Sequence, residues 1–375
     1  MSRLMKALFL IFHGFDPSNG ISKKIIAQVK ALKQCGVDLS TCYVEDAGDR
    51  KKRMVDGDVL CDHGSGIKGK IMKRVALGCI ADYIFSNNIQ WVYVRSDHNT
   101  TPFLINLFRR LKKGGVRLFM EIPTYPYDDE YKGLSGGYRR AWLMDKCLRG
   151  LMARYVDKFV TFSDHEFIFG RPTIRISNGI DFDVIPLKTY RHPDARVLHF
   201  IGVATIHPWH GFDRLIKGLA EYYRSDFSST VYFHIVGNGM PSVVDDYRHL
   251  VEEANLEEYV LFHGALFGSD LDKVFEESDL GIGSLARHRS HITHIRTLKN
   301  REYAARGIPF VYSEIDIDFE GRPYVLKVPA DESPVDVERL VCFCQSQTMS
   351  PSGIRDSIRS TLSWKQQMQL VIDEV

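Results

Sequence analysis

Residues 280–313 read LGIGSLARHRSHITHIRTLKNREYAARGIPFVYS. Leu280–Ser284 and Phe310–Ser313 are short apolar runs of strand character, and Leu298–Arg306 between them has helical spacing. A strand, a crossover helix and a second strand at this spacing make a parallel β-α-β unit. The alternation continues outward on both sides. Further strands are expected at Val197–Val203, Val231–Val236, Val260–His263 and Val325–Val328, with a helix over Phe212–Tyr223. The first half of the chain has the same grammar, with strands at Met5–Phe12, Leu39–Glu45, Trp91–Arg95, Val116–Ile122, Phe159–Ser163 and Ile174–Ser177. Between the first two, Ile25, Ile26, Val29 and Leu32 form a helical stripe that starts near Ser22 and stops at Gly36. Asp56-Gly57 marks a hairpin between Arg53–Val55 and Asp58–Cys61. One helix is expected from Ile71 to Phe85, with Val75, Cys79, Ile80 and Tyr83 on one side.

The pattern predicts an α/β protein of two doubly wound units joined between Asp181 and Arg196. The expected division is residues 1–190, residues 191–352, and a helical tail at 353–375 containing Trp364. Ligands of such sheets sit beyond the carboxyl ends of the strands. With two such units, the default site is the cleft between them.

Composition narrows the function classes. In 375 residues, 44% are apolar and 26% charged, which is too apolar for disorder. Forty-nine Lys and Arg against 47 Asp and Glu leave a net charge of +2, no footprint of a nucleic-acid binder. No apolar run reaches the ~18 residues of a membrane span. Met5–Phe12 is too short, and followed by the wrong residues, for a secretory leader, so it reads as a buried strand. The seven cysteines (35, 42, 61, 79, 147, 342 and 344) contain no CxxC pair. Neither a disulfide framework nor a thiolate zinc site is expected, and the compartment reads as the reducing cytoplasm. Cys342-Phe-Cys344 reads as a helix turn.

The window quoted first also carries chemistry. Arg287, Arg289, Arg296, Lys299 and Arg301 lie between Asp279 and Glu302 with no carboxylate among them. A basic loop that leaves a strand and enters a helix N-terminus is suited to phosphate groups. His288, His291 and His294 recur every third residue. Neighbouring arginines repel a divalent ion, so no metal is expected there.

Four segments resemble one family. Glu302-Tyr-Ala-Ala-Arg-Gly-Ile-Pro309 is similar to the end of the Glu-x7-Glu motif in retaining GT-B glycosyltransferases of the group 1 (GT4-like) family. Asn178-Gly-Ile-Asp181 looks like that family's Asn-Gly-x-Asp segment. Phe200-Ile-Gly202 followed by His210-Gly211-Phe-Asp-Arg-Leu-Ile216 looks like its first C-terminal-domain strand, loop and helix. Ile235-Val-Gly237-Asn238-Gly239 and Val260-Leu-Phe-His-Gly264 resemble its two glycine-bearing strand ends. The resemblance covers Arg196–Pro309 well and the first half more loosely.

The resemblance implies a GT-B fold, with an acceptor on the N-terminal domain and a nucleotide-sugar donor on the C-terminal one. It implies sugar transfer with retention, without a metal or other cofactor, to a glycan or lipid-linked acceptor in surface polysaccharide or glycoconjugate synthesis. Glu302 would grip the ribose, and Gly20, Gly237 and Asn238 would line the donor. Two departures stand out. His294 occupies the place of the first motif glutamate, which contacts the donor sugar, and His210 that of a phosphate-binding lysine. Arg289, Lys299 or Arg301 would then supply the missing charge, with Glu121, His294 and Lys299 as the catalytic candidates. Glu121, in Glu121-Ile-Pro-Thr-Tyr-Pro-Tyr-Asp128, falls where the family places an active-site histidine, in reach of a sugar. A nucleotide-sugar epimerase and a catalytically silent sugar-nucleotide-binding protein are the alternatives.

Gly64-Ser-Gly-Ile-Lys-Gly-Lys70 fits a P-loop pattern, but Ile71 replaces the magnesium-binding Ser or Thr. With Lys73, Arg74 and Arg50-Lys-Lys-Arg53 it is instead a basic patch suited to peripheral contact with an anionic membrane.

Overall fold

The computed structural model describes residues 5–16, 20–131, 136–190, 196–292 and 294–375. The chain forms two compact units, one of residues up to Ser177 together with Trp364–Val375, the other of Asn178–Ser363. The first contains β1 (Met5–Leu10), α1 (Gly20–Gln34), β2 (Val37–Ala47), β3 (Arg50–Val55), β4 (Asp58–Ser65), α2 (Gly66–Val75) and α3 (Gly78–Ser86). It continues with β5 (Trp91–Arg95), α4 (Pro102–Lys113), β6 (Arg117–Ile122), α5 (Gly137–Ala153), β7 (Lys158–Thr161), β8 (Phe167–Ile168) and β9 (Arg171–Arg175). The second contains β10 (Val197–Val203), α6 (Phe212–Tyr222), β11 (Thr230–Val236), α7 (Pro241–Glu253), β12 (Val260–Gly264), α8 (Gly268–Glu277) and β13 (Leu280–Ile282). It ends with α9 (Leu298–Arg306), β14 (Phe310–Tyr312), β15 (Val325–Lys327), α10 (Val337–Gln345) and α11 (Pro351–Leu362), after which α12 (Trp364–Ile372) belongs to the first unit.

Period-two alternation explains why both sheets are covered on two faces. On β1, Leu8 and Leu10 pack with Ile80 and Ile84 of α3 and Phe108 of α4. The intervening Ala7, Phe9 and Ile11 pack with Ile25 and Leu32 of α1 and with Trp364, Met368 and Val371 of α12. Burying each of those three α12 side chains contributes roughly 1.5–3 kcal/mol, enough to hold a helix of nine residues that would not form alone. In the second unit Leu198 and Phe200 meet Phe212, Leu215 and Leu219 of α6, whereas Ile201 meets Tyr303 and Ala304 of α9 and Ile354 and Ile358 of α11.

The first sheet runs β4-β3-β2-β1-β5-β6-β7-β9-β8, with β3, β4 and β8 paired antiparallel to their neighbours. The β3–β4 hairpin turns on Asp56 (φ 49°) and Gly57 (φ 100°), the two left-handed positions that the Asp-Gly pair suits. The second sheet is wholly parallel in the order β12-β11-β10-β13-β14-β15.

Three expectations are corrected here. The single helix over Ile71–Phe85 is two helices, α2 and α3, broken at Ala76-Leu77. A Cβ on Gly69 would lie 2.4 Å from the Gly64 carbonyl oxygen, so this close contact with the end of β4 sets the face of α2. The face of α3 is set instead by Ile80, Ala81 and Ile84 in the core, and one straight rod does not present both. The cysteine reading changes as well, because a disulfide joins Cys61 on β4 to Cys79 on α3 across 18 residues. Strand pairing and helix packing bring the two together, which spacing alone does not reveal.

Glu121 is the third correction. It has no exposed surface and sits at the end of β6 among Arg95, which binds one carboxylate oxygen, Lys24 at 3.5 Å, Gln28 at 2.6 Å and the Tyr93 hydroxyl at 2.7 Å. Two buried cations lean on this one carboxylate, so it is a structural counter-ion with no face left for a sugar. Glu121→Gln therefore takes the carboxylate away from both cations. The unfolding free energy of the first unit in urea is expected to fall by about 3–5 kcal/mol; a change below 1 kcal/mol refutes the assignment.

Candidate functional site

The six strands of the second sheet are in the order 3-2-1-4-5-6, so the direction of winding reverses between β10 and β13. At such a reversal the crossovers lie on opposite faces and leave a crevice beyond the strand ends, where ligands of doubly wound sheets bind. Residues 204–211 after β10 and residues 283–292 and 294–297 after β13 form its walls, and the N-terminus of α9 lies at the end of the second.

The two loops touch directly. Leu285 N–H donates to the His210 carbonyl at 2.9 Å and Ala286 N–H to that of Trp209 at 3.3 Å. Above this seam the His207 ring stacks on Trp209 at 4.3 Å and the Arg287 guanidinium lies 5.6 Å from the Trp209 ring. Below it Lys299 donates to Ser284 Oγ at 3.2 Å. Thr297 caps α9 by accepting from Asn300 N–H, which leaves the helix end and its partial positive charge beside Lys299.

The electrostatics favour an anion that arrives from outside. Burial pushes the Lys299 ammonium down to about 7, with the buried Glu314 carboxylate opposing the fall and Arg287 adding to it. Glu314 is in turn pushed up by its own burial, and its Oε2 makes no hydrogen bond. His210 is held well below its ordinary value, first by burial and then by Lys299, Arg287 and His207. Its ring is therefore neutral. Because Nδ1 accepts the His207 N–H at 3.0 Å, the proton sits on Nε2, which makes His210 a fixed neutral donor.

No protein-family model matches the sequence, and no curated protein matches it. Solved structures do match. Sucrose-phosphate synthase from Thermosynechococcus elongatus superposes with a TM-score of 0.67 at 13% identity, over 99% of this chain and 99% of that one. A glycosyltransferase from Rickettsia africae gives 0.62 at 14% identity over 100% and 98%. HepE from Anabaena, in complex with UDP, gives 0.58 at 16% identity over 99% and 100%. The fold is GT-B.

Within this GT-B chain the sequence-expected residues fall into two groups. Lys299, His210 and the N-terminus of α9 come together in the crevice, joined by His207, Trp209 and Arg287. Glu302 lies one turn further along α9, where Arg306 binds its Oε1 at 2.9 Å and Oε2 has no hydrogen bond among the described residues. Gly237 (φ 129°) and Gly239 let the loop after β11 lie against Ala204 and Ile206, since a Cβ on either would come within 2.1 Å of a carbonyl oxygen there. Ile206 N–H donates to the Asn238 carbonyl at 2.9 Å, so these three residues support the β10 loop from behind.

The second group is diverted to structural work. Arg301 is fully buried, bidentate on Asp316 at 2.6 and 3.0 Å and paired with Asp318, so it clamps the loop after β14 to α9. Arg289 grips Asp213 with two bonds at 2.8 and 2.9 Å and also binds Glu332, pinning the β13 loop to the first turn of α6. These pairings run against the expectation that Arg289 or Arg301 supplies the charge for a phosphate. The counter-charges missing from the basic window come from residues 213, 314, 316, 318 and 332, distant in sequence. His288 is likewise taken by Glu332 at 2.6 Å. His294 is exposed, its backbone bridged to Ile315. Gly20 opens α1 in the other unit with open space around its Cα, and residues 17–19 of its loop lie outside the described residues.

A lysine that titrates near 7 gives this crevice a pH signature. The ammonium form attracts an anion and exists below that value, so the advantage of the wild type over Lys299→Met in binding inorganic pyrophosphate should shrink about tenfold between pH 6 and pH 8. Calorimetry at the two pH values measures it, and a constant ratio means that Lys299 does not face the anion.

Proposed function

We propose that the chain is a glycosyltransferase that holds a nucleoside-diphosphate sugar in the β10/β13 crevice and transfers the sugar with retention to a glycan or lipid-linked acceptor. The observation that carries this reading is the convergence of Lys299, Arg287, the neutral donor His210 and the N-terminus of α9 at one strand-order reversal. A departing diphosphate gains charge in the transition state, and preorganised donors at that point stabilise it without a metal. The UDP in the HepE structure supports a nucleotide of this kind. Glu302 Oε2 serves the ribose hydroxyls, and His294 faces the donor sugar where the resembling family has glutamate. Gly237 and Asn238 hold the β10 loop that walls the donor site.

Incubation with a panel of radiolabelled nucleotide sugars and a glycan acceptor tests the reading. Labelled acceptor and released diphosphate, unchanged in EDTA, support it; an epimerised donor, or binding without turnover, overturns it. In calorimetry Glu302→Gln should weaken UDP by about 1–3 kcal/mol, the scale of one hydrogen bond to a charged group. Unchanged UDP affinity removes Glu302 from the ribose.

We also propose that α2 meets an anionic membrane. Ile67 and Ile71, four residues apart and thus on one face, are 78% and 54% exposed beside Lys68 and Lys70. Exposed isoleucines flanked by lysines suit the interface of an acidic bilayer. Among the described residues no helix is long and apolar enough to cross a membrane. Co-sedimentation with phosphatidylglycerol vesicles, lost in Ile67→Ser/Ile71→Ser and absent with phosphatidylcholine, is the expected outcome; equal recovery with both lipids rules it out.

A further inference from the structure

The first sheet has its own reversal of winding, between β1 and β5, and a pocket of about 210 Å³ opens there. The loop after β1 contributes Phe12 and His13, the loop after β5 contributes Asp97 and Asn99, and the last turn of α2 contributes Lys73 and Arg74.

Positive charge dominates this corner. Arg74 is exposed and makes no hydrogen bond or ion pair among the described residues; the carboxylate it acts on is that of Asp97. Lys73 has a distant partner, the exposed Asp46 at 3.7 Å. Behind the pocket lies Arg53, with no exposed surface, whose guanidinium donates to the carbonyls of Ile11 at the end of β1 and Lys73 in α2, both at 3.1 Å. Its Nε makes no hydrogen bond, and among the described residues no carboxylate is in salt-bridge contact with it. A buried guanidinium satisfied by carbonyls keeps its full charge and projects it locally. Thr101, the N-cap of the 12-residue helix α4, also lines the pocket, so the positive end of that helix adds to the field.

The remaining lining is that of a polyol site. Asp97, which is exposed, and Asn99 offer planar oxygen groups that accept from neighbouring hydroxyls. Phe12, Leu77 and Leu104 give an apolar wall for a ring face. The volume is below the ~300–1,000 Å³ of pockets that enclose drug-sized ligands, which limits the occupant to one ring.

We propose that the pocket beyond β1 and β5 binds a single hexose ring carrying one negative charge, a uronate or a sugar phosphate, and is the subsite for the acceptor. Only the word acceptor rests on the glycosyltransferase reading; the ligand class rests on the pocket itself. Arg74 and Lys73 meet the anionic group, and Asp97 and Asn99 meet the ring hydroxyls.

Calorimetry with glucuronate, glucose 6-phosphate and glucose tests this on the full chain. At least one charged probe should bind ten times more tightly than glucose. Arg74→Ala should bring that probe down to the level of glucose, while Asp97→Asn should weaken all three alike. Thermal melting checks that both variants fold, and UDP affinity should be unchanged in both. Glucose binding as tightly as both charged probes, or a preference that survives Arg74→Ala, overturns the proposal whether or not UDP binds. Conversely, loss of UDP binding with the sugar pattern intact overturns the donor reading and leaves the pocket standing.

Discussion

A side chain at position 211 would put its Cβ 2.7 Å from that of Ala286 and 2.9 Å from the Ala286 nitrogen. Gly211 also has φ 66°, in the left-handed region. Only glycine meets both demands, and on that contact the crevice of the second unit depends. With the loops after β10 and β13 pressed together here, their carbonyls and amides pair, His210 is sealed into its single tautomer, and Trp209 is presented outward under His207 and Arg287. Any larger residue would part the loops and scatter His207, Trp209, His210 and Arg287.

Around that contact the buried charges are sorted by task. Arg214, with no exposed surface, donates to the carbonyls of Leu285, Pro329 and Ser333 and to Asp331, so it ties the β13 loop to the segment before α10. Arg289 and Arg301 do the same work for α6 and the loop after β14. Each of these arginines is matched by carboxylates, so it holds shape and contributes little net field. Lys299 differs because its carboxylate, Glu314, is itself destabilised by burial. The pair leaves charge unsatisfied where the walls are already rigid, which is the condition under which fixed dipoles act most strongly on a ligand.

What the sequence disclosed follows from how local the cause was. Strands buried on both faces are apolar runs, and Asp56-Gly57 specifies a turn through its own backbone, so both were legible. The join at Ala76-Leu77 was not, since each helix takes its face from a different distant partner. Charge roles were the least legible. Arg289 and Lys299 look alike in the basic window, and only the arrival of Asp213 and Glu332 around one, and of Glu314 near the other, separates them. Glu121 likewise reads as a strand-end acid until Lys24 and Arg95 close over it. His207 and Trp209 lie between the segments Phe200–Gly202 and His210–Ile216, and their importance depends on strand order, which periodicity does not encode.

That position 210 carries a histidine and not a cation is intelligible in the same terms. Lys299 and Arg287 already crowd this spot, and a third positive side chain nine-tenths buried beside them would add repulsion with no carboxylate to relieve it. A histidine kept neutral by those same neighbours supplies a donor without that repulsion. Its backbone partner at His207 fixes which nitrogen donates, so the direction of the hydrogen bond is set before a ligand arrives. The crevice thereby retains its donors without a third buried cation.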